Sequence, residues 1–130
     1  MDTDTSIIIQ VIDDDPSIVN LLQENFELEG YKVVCGFDGL MAIQLARKHK
    51  PNLIIMDVNM PMTNGLKAME MIRANEQTKN IPIILVTGEV SDRVFPKVAA
   101  TQRVMHIKKP IDLEELNSLV RQVLKQYPTE

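Results

Sequence analysis

The most informative stretch of this 130-residue chain reads Leu53-Ile54-Ile55-Met56-Asp57-Val58-Asn59-Met60-Pro61. Its first four residues are too few for a helix, and their isoleucine content is typical of a strand buried on both faces of a parallel sheet. The strand ends at the carboxylate of Asp57, and the turn pair Asn64-Gly65 follows. Because open α/β sheets bind ligands at their carboxyl edge, the stretch predicts a functional aspartate at that edge.

Strand-like and amphipathic segments alternate along the rest of the chain. The predicted strands cover residues 7–12, 31–35, 53–56, 81–87 and 104–107. The predicted helices cover residues 16–29, 39–49, 66–74, 91–101 and 113–124. This alternation predicts a single α/β domain over residues 1–130, doubly wound, with a parallel five-stranded sheet, right-handed crossovers and helices on both faces.

Several residues predict where the helices begin and end. Asp15 precedes Pro16, a pair typical of an N-cap and the first helical residue, and Gly30 predicts the end of the first helix. Asp112 begins a capping box for the last helix. The fourth helix is poorly specified, because Pro96 lies in the middle of its predicted range.

Composition excludes several functional classes. The net charge is −4 and aromatic residues make up 4% of the chain, so we expect no direct nucleic-acid binding. The single cysteine, Cys35, forms no internal disulfide and predicts a reducing, cytoplasmic setting. No apolar run approaches the roughly 20 residues of a membrane helix, and the acidic start is unlike a signal peptide, so we expect no membrane association and no export.

Five polar side chains are predicted to converge at the carboxyl edge of the sheet. The strand ends supply Asp13 and Asp14, then Asp57, Thr87 and Lys109. Carboxylates this close repel one another, and Mg²⁺, which prefers oxygen ligands, relieves that repulsion. Asp57 is then a candidate nucleophile toward a phosphoryl group, with Lys109 and the Thr87 hydroxyl stabilising the phosphoryl oxygens.

The chain resembles the receiver domain of two-component response regulators. The motifs that carry the resemblance are Val11-Ile12-Asp13-Asp14-Asp15-Pro16, Met56-Asp57-Val58-Asn59-Met60-Pro61 with Gly65, Val86-Thr87-Gly88 and Lys109-Pro110. They occur in the family's order, and the resemblance covers residues 7–124. It implies a CheY-like, flavodoxin-like (βα)5 domain with strand order 2-1-3-4-5.

The resemblance also implies roles for individual residues. Asp57 is the phosphoacceptor, phosphorylated by a histidine kinase or a phosphotransfer protein. Mg²⁺ is held by Asp13, Asp14, Asp57 and the main-chain carbonyl of Asn59. Thr87 and Lys109 contact the phosphoryl group, and the Lys109-Pro110 bond is expected to be cis.

Further positions concern the lifetime and output of the phosphorylated form. By resemblance, Asn59 and Glu89 flank the attacking water and tune self-dephosphorylation, in a pair similar to that of the chemotaxis receiver, which implies a short-lived phosphoryl group. His106 occupies a switch position that is usually aromatic. The glycine-alanine pair that usually precedes the last strand is replaced around Thr101-Gln102-Arg103.

These observations predict a signalling switch rather than a metabolic enzyme. Its output goes to a downstream protein or to an effector domain outside this sequence. The main alternative is a pseudo-receiver that binds partners without phosphorylation. A haloacid-dehalogenase phosphatase is disfavoured because Asn59 stands where a second aspartate is expected, and an FMN-binding flavodoxin is disfavoured because three acids, Asp13 to Asp15, follow the first strand. Singly, Asp14 and Asp15 are also ordinary helix caps, and His106 an ordinary half-buried strand residue.

Overall fold

The structure is a computed structural model that describes residues 6–60, 64–88 and 94–128. Within these ranges five strands alternate with five helices. The strands are β1 (Ile8–Ile12), β2 (Lys32–Gly36), β3 (Leu53–Asp57), β4 (Ile83–Thr87) and β5 (Val104–Lys108). The helices are α1 (Pro16–Leu28), α2 (Gly39–His49), α3 (Gly65–Ala74), α4 (Val94–Ala100) and α5 (Leu113–Gln126).

All neighbouring strands are parallel, and their order is β2-β1-β3-β4-β5. This confirms the predicted fold class and strand order. The order reverses between β1 and β3, so the connections after these two strands leave toward opposite faces of the sheet. A crevice at the carboxyl edge results, which is where ligands bind in open α/β sheets.

Helices cover both faces of the sheet and form two apolar layers. The α1 and α5 side buries Leu22, Phe26, Leu116, Val120 and Val123 against the sheet. The opposite side buries residues of α2 and α3, among them Ala42, Ala46, Leu66, Met69 and Ile72. Every residue of β3 and β4 is buried, as the continuous apolar composition of these central strands predicts.

The predicted helix ends are largely confirmed. The carboxylate of Asp15 accepts a hydrogen bond from the Ser17 amide at 2.9 Å, and Pro16 is the first residue of α1. Gly30 follows the end of α1 with φ of 96°, a value that only glycine adopts without strain. Asp112 caps α5 by accepting from the amides of the next helical turn.

The predicted start of β4 is wrong. β4 begins at Ile83 rather than at residue 81, because Pro82 has no amide hydrogen and Ile81 donates to Thr78 in a turn. Pro96 lies within α4, which the structure describes from Val94 to Ala100. Residues 91–93 of the predicted helix lie outside the described ranges.

Among the described residues, no helix combines the length and apolar character that crossing a membrane requires.

Candidate functional site

Three carboxylates meet at the crevice between β1 and β3. Asp13 and Asp14 follow β1, and Asp57 is the last residue of β3. One oxygen from each carboxylate lies within 4.8 Å of the others. Asp57 is 2% exposed and Asp13 3%, whereas Asp14 is exposed. The structure therefore brings together the three acids that the sequence predicts to converge.

Backbone amides of the adjoining loops orient the two buried carboxylates. Oδ1 of Asp13 accepts a hydrogen bond from the Asp15 amide at 2.9 Å. Oδ1 of Asp57 accepts one from the Asn59 amide at 3.1 Å. Each loop thus turns back on the aspartate that begins it, an arrangement that acidic side chains favour in turns. The second oxygen of each carboxylate, Oδ2, lies within 3.9 Å of the Lys109 ammonium.

Lys109, which follows the edge strand β5, brings a positive charge to these carboxylates. Its amide donates to the Thr87 carbonyl at 2.7 Å, which fixes its main chain beside β4. Its Nζ lies 3.2 Å from Oδ2 of Asp57 and 3.9 Å from Oδ2 of Asp13. The peptide bond from Lys109 to Pro110 is cis, as expected.

Thr87 ends β4 with its side chain buried and 1% exposed. Its hydroxyl has no hydrogen-bond partner within the described part of the chain. An unpaired buried hydroxyl is costly, and buried polar groups are normally satisfied. The position and the missing partner make this hydroxyl available to a ligand in the crevice.

The site carries more negative than positive charge, which affects protonation. Burial raises the pKa of Asp13 to about 6, and the charges of Asp57 and Asp14 act in the same direction. The hydrogen bond from Asp15 and the charge of Lys109 oppose this rise only in part. Near neutral pH the cluster therefore holds closely spaced carboxylates, which a divalent cation would stabilise.

The donor set fits a hard cation such as Mg²⁺. All three groups offer carboxylate oxygen, with no sulfur or imidazole among them, and Mg²⁺ sites in proteins commonly use one or two carboxylates with water completing the shell. The exposure of Asp14 leaves room for such water.

Gly65 contributes to the site in a way that local sequence patterns do not reveal. Its amide donates to the Val58 carbonyl at 2.9 Å, so α3 begins directly against the end of β3. A Cβ atom at this position would lie 2.4 Å from the Asp57 carbonyl oxygen. The pair Asn64-Gly65 was expected to be a turn, and Asn64 in fact caps α3 by accepting from the Lys67 amide. The close approach of Gly65 depends on the packing of helix against strand.

Of the other predicted positions, His106 lies away from the three carboxylates, Asn59 lies beside Asp57, and Glu89 lies outside the described residues. His106 is half-buried on β5 and pairs with Leu85, and it lines a cavity of about 510 Å³ between β5 and α5. Asn59 is exposed on the loop after β3. Glu89 lies outside the described ranges, as does Pro61 of the quoted motif.

The comparisons with known proteins agree with this geometry. The family model for the response regulator receiver domain matches residues 9–121. The chain is 31% identical over 118 residues to protein PilH of Pseudomonas aeruginosa, covering 89% of this chain and 96% of PilH. It is 35% identical over 120 residues to the alkaline phosphatase synthesis transcriptional regulatory protein PhoP of Bacillus subtilis, covering 91% of this chain and 48% of PhoP.

A third relative, like PhoP, is matched over about half of its length. The DNA-binding dual master transcriptional regulator RpaA of Synechocystis is 32% identical over 120 residues, covering 91% of this chain and 49% of RpaA. The chain thus spans about half the length of RpaA and PhoP. Among solved structures, chemotaxis response regulator CheY4 of Vibrio cholerae superposes with a TM-score of 0.83 at 30% identity, covering 91% of this chain and 98% of CheY4. With its acidic crevice, its lysine and its matching sequence, the chain belongs to the family of response regulator receiver domains.

Proposed function

We propose that Asp57 is the phosphoacceptor of a two-component or phosphorelay system, receiving its phosphoryl group from a histidine kinase or a phosphotransfer protein. One observation carries this proposal: the buried Asp57 carboxylate lies between the Lys109 ammonium, 3.2 Å away, and two further carboxylates. An acid that ends a buried strand beside a cation is poised as a nucleophile rather than as a solvated surface charge.

The transfer conserves atoms and charge. A carboxylate oxygen of Asp57 attacks the phosphorus of a phosphohistidine, a bond forms between this oxygen and phosphorus, and the bond from phosphorus to the imidazole nitrogen breaks. The imidazole leaves with the electron pair of that bond. The product is an acyl phosphate on Asp57, and the same donor chemistry holds for a small acyl phosphate.

Lys109 and Thr87 stabilise the transferred group in this proposal. The Lys109 ammonium, already within 3.9 Å of two carboxylates, exchanges its contact with Asp57 for one with a phosphoryl oxygen. The buried Thr87 hydroxyl donates to another phosphoryl oxygen and gains the partner it lacks. The two contacts bias the end of β4 and the residues beyond it toward a second arrangement, which is the output of the switch.

Asp13, Asp14, Asp57 and the main-chain carbonyl of Asn59 are the residues that would hold Mg²⁺. When bound, the ion supplies positive charge that offsets the repulsion between the carboxylates and the incoming phosphoryl oxygens. Asp13 and Asp57 need no rearrangement for this role, since loop amides already orient them.

Signal lifetime and output complete the proposal. Asn59 and Glu89, two residues beyond Asp57 and Thr87 in the sequence, tune self-dephosphorylation, and His106 takes the switch position on β5. The single domain over residues 1–130 acts in the cytoplasm, without direct nucleic-acid or membrane binding, on a downstream protein or on an effector domain. It catalyses its own phosphorylation and dephosphorylation and does not act as a metabolic enzyme.

Intact mass after incubation with Mg²⁺ and acetyl phosphate tests the proposal. We expect the wild type to gain the mass of one phosphoryl group and Asp57→Asn to gain none. Asp112→Asn is the matched control: it also replaces one aspartate by asparagine, but at the cap of α5, where asparagine caps equally well. Mass gain by Asp57→Asn would exclude Asp57 as the acceptor, and no gain by the wild type would favour the phosphorylation-independent pseudo-receiver.

A further inference from the structure

Helices α1 and α5 are joined by a reciprocal pair of amide side chains. Nδ2 of Asn25 donates to Oδ1 of Asn117 at 2.8 Å, and Nδ2 of Asn117 donates back to Oδ1 of Asn25 at 3.1 Å. Four residues further along the chain in each case, Arg121 of α5 contacts Glu29, the residue that follows α1, at 3.1 Å. The equal spacing shows two parallel helices in fixed axial register, consistent with the parallel sheet on which both lie.

The apolar contact beneath the amide pair does not by itself fix this register. Leu22 and Phe26 of α1 and Leu116 and Val120 of α5 are buried in the same layer, and apolar surfaces tolerate small shifts with little loss of area. The amide pair is directional, since a slide of one residue breaks both hydrogen bonds and leaves two half-buried amides unpaired. A single buried asparagine is known to set register between helices in this way.

The two helices begin at the two sides of the acidic site. Asp15 caps α1, and its amide holds the Asp13 carboxylate. α5 begins at Leu113, shortly after Lys109. β1 and β5 are not neighbours in the sheet, since β3 and β4 lie between them. The contact between α1 and α5 is therefore a direct link between the segment that carries Asp13 and the segment that carries Lys109.

We propose that Asn25 and Asn117 are positioning residues that, together with the bond from the Lys109 amide to the Thr87 carbonyl, set the placement of Lys109 relative to Asp13 and Asp57. The expected effect on phosphorylation rests on the proposed function, whereas the placement of Lys109 does not. Reaction rates respond to displacements of about 1 Å at reacting groups, so a register shift between α1 and α5 acts on the site without any contact to it. The asparagines touch no reacting atom and have no catalytic part of their own.

The test replaces both amides by apolar side chains in Asn25→Leu/Asn117→Leu. No unpaired amide remains in this variant, so we expect its resistance to urea to equal or exceed that of the wild type. We expect phosphorylation by acetyl phosphate to slow about fivefold. In the metal-free protein, we expect the amide resonances of Asp15 and Lys109 to shift. Asn117→Asp alone keeps an acceptor for the Asn25 amide but removes the donor to Asn25 Oδ1, so its phosphorylation rate should lie between those of the wild type and the double-leucine variant.

The exposed ion pair one turn away provides the control. Glu29→Gln/Arg121→Gln removes a contact between the same two helices, but one of little energetic weight because Arg121 is largely exposed, so all readouts should stay at wild-type values. If Asn25→Leu/Asn117→Leu keeps both the wild-type rate and the wild-type resonances, the inference is wrong. If the wild type accepts no phosphoryl group, the proposed function fails, while the resonances of Asp15 and Lys109 still decide the role of the amide pair.

Discussion

Gly65 packs against the main chain of Asp57 so closely that a Cβ atom at position 65 would lie 2.4 Å from the Asp57 carbonyl oxygen. The same atom would lie 2.9 Å from the Cα of Val58, and both neighbours are backbone, which cannot rotate away. The proposed phosphoacceptor and the first residue of α3 are thus a single packing unit.

Gly65→Ala should therefore disturb both stability and chemistry. We expect the free energy of unfolding in urea to fall by about 1–3 kcal/mol, as for other overpacked sites, and phosphorylation by acetyl phosphate to slow because the end of β3 must move. Gly88→Ala is the control at the same edge of the sheet, where the added Cβ would meet Asn59 at an ordinary 3.9 Å. Equal effects of the two substitutions would contradict the steric explanation.

Two buried threonines among the described residues give opposite predictions for the same substitution. Thr87 and Thr78 are each 1% exposed, but the Thr78 hydroxyl donates to the Ile72 carbonyl at 2.7 Å, whereas the Thr87 hydroxyl has no partner among the described residues. Thr87→Val should stabilise the unphosphorylated protein by up to about 1 kcal/mol, and Thr78→Val should destabilise it by about 1–2 kcal/mol. Urea unfolding of both variants measures this difference.

Thr87→Val should also weaken the response to phosphorylation. In the proposed mechanism the hydroxyl gains its partner only in the phosphorylated state, so the valine variant should show smaller amide chemical-shift changes when acetyl phosphate is added. Thr87→Ser keeps the hydroxyl and should retain the wild-type changes. A wild-type response from the valine variant would exclude the hydroxyl from the switch.

The raised pKa of Asp13 predicts a pH dependence of stability with a definite sign. Its pKa is about 6 in the folded protein against an ordinary value of 3.8 for an aspartate in the unfolded chain, so the folded state binds this proton more tightly. The corresponding stabilisation is complete below about pH 3.8 and is lost as pH rises through about 6. In metal-free buffer, Asp13→Asn should therefore gain stability relative to the wild type between about pH 4 and pH 7.

Asp15 provides the contrasting case two residues away. Hydrogen bonds from the Ser17 side chain and amide lower the pKa of this exposed cap, so its contribution is present above the ordinary aspartate pKa of 3.8 and is lost as pH falls. The difference in unfolding free energy between Asp15→Asn and the wild type should therefore change with pH in the direction opposite to that for Asp13→Asn. Urea unfolding at several pH values measures both differences. If they change with pH in the same direction, the assignment of the raised pKa to Asp13 is wrong.

Gln10 presents a second unsatisfied group, far from any reacting atom. Its side chain is fully buried in β1, where Nε2 donates to the Ala42 carbonyl at 2.9 Å and Oε1 has no partner among the described residues. Gln10→Met should leave the unfolding free energy unchanged or raise it by up to about 1 kcal/mol, because the unpaired acceptor is removed. Gln10→Glu should lower it strongly by burying a charge. A loss of about 2 kcal/mol in the methionine variant would instead show that the contact with Ala42 dominates.

Local signals in the sequence account for most of the fold. The capping pair Asp15-Pro16, the turn at Gly30 and the acid that ends β3 each follow from the chemistry of one residue type, and each is confirmed. The convergence of Asp13, Asp14 and Asp57 follows once the strands are parallel, since all carboxyl ends then share one edge.

Other features depend on packing that no local pattern encodes. Asn25 and Asn117 are separated by 92 positions and meet only because α1 and α5 lie side by side. Met60, which follows Asp57 on a loop, is only 7% exposed because it packs into the core layer of α2 and α3. The sequence predicts the start of β4 two residues too early, because Ile81 before Pro82 has the composition of a strand but lies in a turn.

The acidic crevice draws its charged groups from three βα units, with Lys109 lying 52 positions beyond Asp57. No fragment of the chain carries the complete site, so a bound cation recognises the intact topology and not the unfolded polypeptide. A ligand that binds only the folded state at about 100 times its dissociation constant stabilises that state by about 2.7 kcal/mol. Magnesium bound as proposed would therefore hold together the three separate parts of the chain that supply the site.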